Sequence, residues 1–182
     1  MKIYSVMLDA DYTAISYKDK SYYEYIVNGF RGEKMIENWP MIEVKHWFSG
    51  EKALNGEEAD VLSFELIPTF TKKAVDIFKE ELEANAEILP LKYDKFPCFV
   101  INVTTVLDCL DEEKSKLVIR AKRVFRIDKH VFKKGINYPP IFKISTGSKI
   151  SIYVTDAFVK KFEENKLTGM IFKLVWDSSD ES

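Results

Sequence analysis

The chain is poor in the residues that most often carry chemistry. Among its 182 residues are two cysteines, two histidines and seven glycines. None of the glycines is spaced as Gly-x-Gly-x-x-Gly or as a Walker-type loop, which excludes the two common phosphate cradles. His46, Cys98, Cys109 and His130 stand apart in the chain, without the paired spacing of a zinc site. Excess charge is also missing: the formal net charge of −2 argues against a dedicated nucleic-acid binder. No apolar run approaches the length of a membrane span, so no membrane partner is expected. The mildly apolar start is interrupted by Asp9 and Asp11 before an export signal could form, and a cytoplasmic location is the expectation. Neither a metal nor an organic cofactor is expected.

What the chain does have is material for a core. Hydrophobic residues make up 46%, with thirteen Phe and nine Tyr. Large rings bury much area per residue, so a disulfide staple is unnecessary, and Cys98 and Cys109 are expected to be reduced thiols. The pattern predicts an α+β fold, mainly antiparallel sheet with two amphipathic helices. Ala74, Val75, Phe78 and Leu82 mark the first helix, at about 71–85, opened by Thr69 or Thr71 and closed by Asn85 in a left-handed turn. Phe158, Val159 and Phe162 mark the second, at about 156–165. Strands are expected at 3–8, 42–47, 61–67, 99–106, 117–121, 124–128, 141–144 and 170–176. The 99–106 run is apolar on both faces and should lie inside a sheet. Residues 51–60 read as an acidic loop and 177–182 as a disordered acidic tail.

Each candidate for chemistry has a plainer explanation. Cys109 could be a nucleophile, but packing accounts for it. His46 beside Trp47 reads as a packing histidine. Asp108 and Asp111 could share a cation or act as acid and base, yet aspartates at a strand end and a helix start also bond to backbone N–H groups. The stretch 114–134 holds nine cations against Asp128, with Phe125 and Phe132 among them. That suits a phosphate-contacting surface, and it also suits the wet face of a sheet. The acidic stretch 51–65 could dock a basic protein, with Trp39 and Trp47 as aromatic anchors if exposed. Glu57, Glu58 and Asp60 are its candidate contacts.

One set of motifs goes further. An apolar strand leads into Asp108, Asp111 and Ser115 (D-x-x-D-x-x-x-S). Then follow Ile141–Phe142–Lys143, Val154–Thr155–Asp156 with Phe158, and Leu167, Gly169 and Phe172 (L-x-G-x-x-F). In this order they resemble the immunity proteins of bacterial polymorphic toxin systems, a family first catalogued as a domain of unknown function. The resemblance implies one immunity-type domain over 1–176. Residues 93–176 carry the match, and 1–92 form an N-terminal part with looser correspondence. It also implies a non-enzymatic cytoplasmic antidote that binds and occludes a cognate toxin domain. Asp108, Asp111, Ser115, Asp156, Phe158 and Gly169 would then specify the fold. A homodimer is compatible with this reading. The alternative is a nucleic-acid-binding module using 114–134.

Overall fold

The structure is a computed structural model and describes residues 1–181. In chain order its strands and α-helices begin with β1 (Lys2–Leu8), β2 (Thr13–Tyr17), α1 (Tyr23–Asn28), β3 (Ile42–Ser49) and α2 (Glu51–Leu54). Next come β4 (Val61–Phe64), β5 (Ile67–Thr71), α3 (Lys72–Ile77), α4 (Lys79–Asn85), β6 (Ala86–Lys92) and β7 (Cys98–Val103). The chain continues through β8 (Val106–Leu107), β9 (Lys116–Arg120), β10 (Arg123–Lys129) and β11 (Ile141–Ile144). It ends with β12 (Tyr153–Thr155), α5 (Asp156–Glu164), β13 (Met170–Asp177) and a 3-10 turn at Ser178–Glu181. The class is α+β, and most strand pairs are antiparallel. Ser182, the end of the expected tail, lies outside the described residues.

The strands make two bodies and an arm. β2, β3, β6, β7, β5 and β4 close a barrel in that order, while β13, β1, β12, β11 and β8 form an open sheet. β9 and β10 pair only with each other. The barrel is filled by side chains such as Ile15, Val44, Phe64, Leu89 and Val100. A closed barrel leaves no free strand edge, which removes one route to aggregation. β7 lies between β5 and β6, as its two-sided apolar pattern requires. Cys98 and Val100 enter the barrel core, while Ile101 and Val103 pack on the helices and the open sheet.

The predicted 71–85 helix is present but broken. Thr71 Oγ1 caps it by accepting from Ala74 N–H at 3.5 Å. At Phe78 the backbone leaves helical geometry (φ −98°, ψ 19°). The hydrogen bonding runs on through the break, from Phe78 N to Ala74 O and from Leu82 N to Phe78 O. Phe78 is wholly buried there and stacks on Phe158 of α5, with ring centroids 4.1 Å apart. Asn85 does not end the helix in a left-handed turn. Its Nδ2 donates to Glu81 O, and its backbone carbonyl accepts from Thr104 and Thr105. The predicted 61–67 strand is in fact a hairpin, with Glu65 and Leu66 at positive φ (49° and 71°) and Pro68 inside the returning strand β5. The acidic loop at 51–60 begins with the short helix α2.

Besides the shared core of Ile101, Val103, Ile141 and Val154, two polar contacts stand out at the junction of barrel and sheet. At the first, Val61 N donates to Thr168 O at 3.0 Å, and Asp60 Oδ2 accepts from Thr168 N at 3.1 Å. Gly169 sits beside them at φ +96°, where a Cβ would lie 2.0 Å from Val61 O. At the second, Lys143 on β11 is buried (2% exposed) and donates to the carbonyl of Phe30. Burial lowers the Lys143 pKa from 10.5 to about 8, against the weaker opposing attraction of Glu33.

Gly169→Ala should therefore cost at least about 2 kcal/mol more in urea unfolding than Gly56→Ala. Gly56 also has positive φ, but no atom lies within 4 Å of its Cβ position. Equal losses would show that the close approach to Val61 contributes nothing. Lys143 yields a pH signature. Between pH 8 and 10.5 the unfolded chain holds the Lys143 proton and the folded chain does not, so this group adds stability as pH rises. Cys98 and Cys109, both raised to about 12 chiefly by burial, act in the opposite sense above about pH 9. The stability of Lys143→Met minus that of the wild type isolates the lysine. That difference should fall across pH 8 to 10.5, and a flat difference would contradict the burial argument.

Candidate partner-binding surface

The family-motif residues are occupied by the fold. Asp111 Oδ1 accepts from Lys114 N at 3.1 Å, and Asp111 O accepts from Ser115 N at 2.9 Å. The bond from the Lys114 side chain holds the Asp111 carboxyl below its ordinary range. Ser115 Oγ accepts from Val131 N at 3.0 Å and closes the turn onto the 130–132 segment. Asp108 is exposed and faces Lys133 at 3.1 Å. Asp156 Oδ1 accepts from Ala157 N and Oδ2 from Lys2 N, which joins the start of α5 to β1. Phe158 and Gly169 make the ring stack and the close approach described above.

The other candidates for chemistry are equally quiet. Cys98 and Cys109 are buried free thiols in separate core clusters. A pKa near 12 leaves almost no thiolate at neutral pH. Burial lowers the His130 pKa to about 4, with a smaller push from Lys173, and the ring packs flat against Phe132 with Nε2 3.1 Å from Tyr153 Oη. His46 is exposed and pairs with Ser49. Among the described residues no group of three or more His, Cys, Asp or Glu could hold a metal ion. No helix among them is long and apolar enough to cross a membrane.

The surface itself is more informative. A groove of about 580 Å³ runs along the seam between barrel and sheet. The end of β1 (Met7) and the lead into β12 (Ile150) form one wall, and Trp47, Phe48, Leu66 and Pro68 of the barrel form the other. Its lining is mostly apolar and open to solvent: Trp47 is 69% exposed and Leu66 79%. Soluble proteins rarely leave such side chains together without a use for them. Leu66 also holds a left-handed backbone conformation that costs about 1 kcal/mol for a residue with a Cβ. A second groove of about 500 Å³ lies on the other side of Trp47 and Glu65, lined by Lys18, Lys20, Lys45 and Tyr23.

The five candidate contacts divide by environment. Trp47, Glu57 and Glu58 are exposed. Trp39 is half-buried, donates from Nε1 to Pro90 O at 2.8 Å and packs edge-on against Phe30. Asp60 pairs with Lys73 at 3.0 Å while accepting from Thr168. Sequence reasoning missed Leu66, Met7 and Ile150, which lie far apart in the chain. The one available signal was Leu66 two residues before Pro68, at the end of an apolar run. The basic stretch forms the β9–β10 arm, where Arg120 lies 4.4 Å over the Phe125 ring and Arg126 pairs with Asp128.

Among curated proteins, none matches the chain. A family match exists and covers just under half of it. It bears directly on function. Over residues 92–177 the chain matches the immunity protein family Imm11, the kind of family its motifs resemble, and this supports an immunity-protein role.

Proposed function

We propose that the protein is the antidote of a bacterial polymorphic or contact-dependent toxin system, and that it neutralises its cognate toxin domain in the cytoplasm by binding and covering it. The match over residues 92–177 is the observation that carries this reading. The quiet chemistry of the site candidates agrees with it: buried thiols and a buried histidine held neutral suit a plug better than a catalyst. In this proposal residues 1–176 act as one immunity-type domain with the seam groove as its binding surface. Trp47 is the aromatic anchor, because large exposed rings at the centre of a surface supply most of the binding energy at interfaces. Glu57 and Glu58 lie beyond the far end of β3 and act as rim charges that steer encounter with a basic patch of the toxin.

The direct test is co-expression. A candidate cognate toxin domain, sought in the neighbouring reading frame, is produced in a sensitive strain, with and without the protein. Growth should be restored by the wild type. Trp47→Ala should weaken binding by roughly thirtyfold while leaving unfolding stability within about 0.5 kcal/mol. Replacing both Glu57 and Glu58 by lysine should slow association at low salt and leave dissociation nearly unchanged. Absence of protection by the wild type, or turnover of a substrate by the purified protein alone, would overturn the proposal.

A further inference from the structure

We infer that the segment this protein captures has an apolar side chain next to a carboxylate, and that the two are received on opposite sides of Trp47. The inference deepens the proposed function and rests on it for the identity of the partner as a protein. Trp47 and Glu65 line both grooves and so form the ridge between them. On one side lies the apolar seam, where Met7, Phe48, Leu66 and Ile150 expose hydrocarbon. On the other side are three lysines and one carboxylate.

The state of those charges decides the sign of the partner. Lys18 is already paired with Asp94 at 3.1 Å and lies 3.8 Å from Glu43. Glu65 is engaged by the Ser16 hydroxyl. Lys20 and Lys45 are exposed and make no ion pair or side-chain hydrogen bond among the described residues. Two cations without ion pairs therefore stand next to an exposed tryptophan, against the single Glu65 carboxylate, and the groove keeps a net positive charge. Lys45 and Trp47 both line the second groove, Trp47 as the extra residue of a bulge in β3 against β2. A carboxylate docking in this groove meets net positive charge, while its apolar neighbour crosses the ridge into the seam. A basic segment would bring a third and fourth cation against Lys20 and Lys45. Like-charge contact of that kind is what rejects wrong partners at interfaces.

The ridge is also held in place for this purpose. Glu65 and Leu66 both occupy left-handed backbone conformations, and the Ser16 bond ties Glu65 to β2. β4 and β5 pair up to Phe64 and Ile67, so the turn cannot relax without disturbing the hairpin. Strain maintained at an exposed apolar tip is a mark of a preorganised contact.

The test uses three synthetic peptides with the intact protein. One has a Phe-Leu pair flanked on each side by two glutamates, the second has glutamines at those positions, and the third has lysines. Binding is followed by the NMR signal of the Trp47 indole N–H, assigned by its loss in Trp47→Phe. The glutamate peptide should shift that signal and bind at least about tenfold more tightly than the lysine peptide, with the glutamine peptide between them. The double variant Lys20→Glu, Lys45→Glu should reverse the order, and Leu66→Ala should weaken all three. Equal binding of the three, a shift elsewhere with Trp47 unmoved, or no binding by the glutamate peptide would each overturn the inference. Protection of cells in co-expression alongside any of these results would keep the immunity reading and remove only this one. Loss of protection with the peptide order intact would do the reverse.

Discussion

The junction of barrel and sheet is pinned by a close approach of two backbones, beside their shared apolar core and the Lys143 bond to Phe30. Thr168 and Gly169 run against Asp60 and Val61 so tightly that a Cβ on Gly169 would lie 2.0 Å from the Val61 carbonyl oxygen. The hydrogen bonds there are reciprocal: Val61 N donates to Thr168 O, Asp60 N donates to Thr168 Oγ1, and Thr168 N donates to the Asp60 carboxylate. Asp9 N adds a bond to Gly169 O at 3.1 Å. Three chain segments far apart in sequence thus meet at one point, and the seam groove runs away from it between β1 and the barrel. A looser contact would let the groove walls move independently. A protein that acts only by presenting a surface gains most from holding that surface still.

Much of the open sheet and its motifs was legible in the sequence because local chemistry dictates it. Asp111 and Ser115 behave as turn residues, Phe158 faces inward on a helix of regular spacing, and Met170 and Phe172 of β13 share a face as their alternation predicts, although a bulge at Val175 turns Trp176 to the other core. The barrel was not legible. Its closure needs β2 beside β4 and β3 beside β6 in parallel, pairings between strands tens of residues apart with no local signal. The hairpin at Glu65–Leu66 was hidden for a different reason. Tight two-residue turns normally announce themselves with Asn or Gly, and here two ordinary residues adopt the left-handed region. Trp39 and Trp47 look alike in sequence, yet one is bonded to Pro90 and the other open to solvent. Trp39 precedes β3 and is held by Pro90 of β6, whereas Trp47 is the extra residue of a bulge in β3, and neither placement has a local sequence signal.

The division of the chain also bears on where specificity can reside. The part that matches Imm11 supplies most of the open sheet, α5 and the β9–β10 arm. Of the groove walls it contributes only Ile150, Ser151 and Ile152. The rest comes from residues 6–68, outside the match. The motif residues are bound up in turns, caps and ring stacks. The exposed anchors lie where the motifs do not reach. A scaffold whose signature sequence is spent on internal contacts leaves its binding face free to take any composition that still closes the barrel.

The cationic arm is the natural rival to the groove, and its own geometry weakens that claim. Six cations fall within 116–129 against Asp128. Arg126 is already paired with Asp128 at 2.6 Å, and Arg120 is stacked on Phe125. One face of the arm packs inward, with Leu117 and Ile127 against the third core cluster and Val124 near Gly147. The hairpin turn at Ala121–Lys122 is another left-handed pair without glycine. Phosphate tracking needs several cations free along one line, because affinity grows with the number of phosphates neutralised. With two of the six guanidinium and ammonium groups committed and the acidic balance of the whole chain opposing, the arm fits the role of a solvated, aggregation-resistant projection. Trp47 is open to solvent between an apolar seam and a groove in which Lys20 and Lys45 have no ion pair among the described residues, and this apolar contact area, which the arm does not offer, is what singles it out.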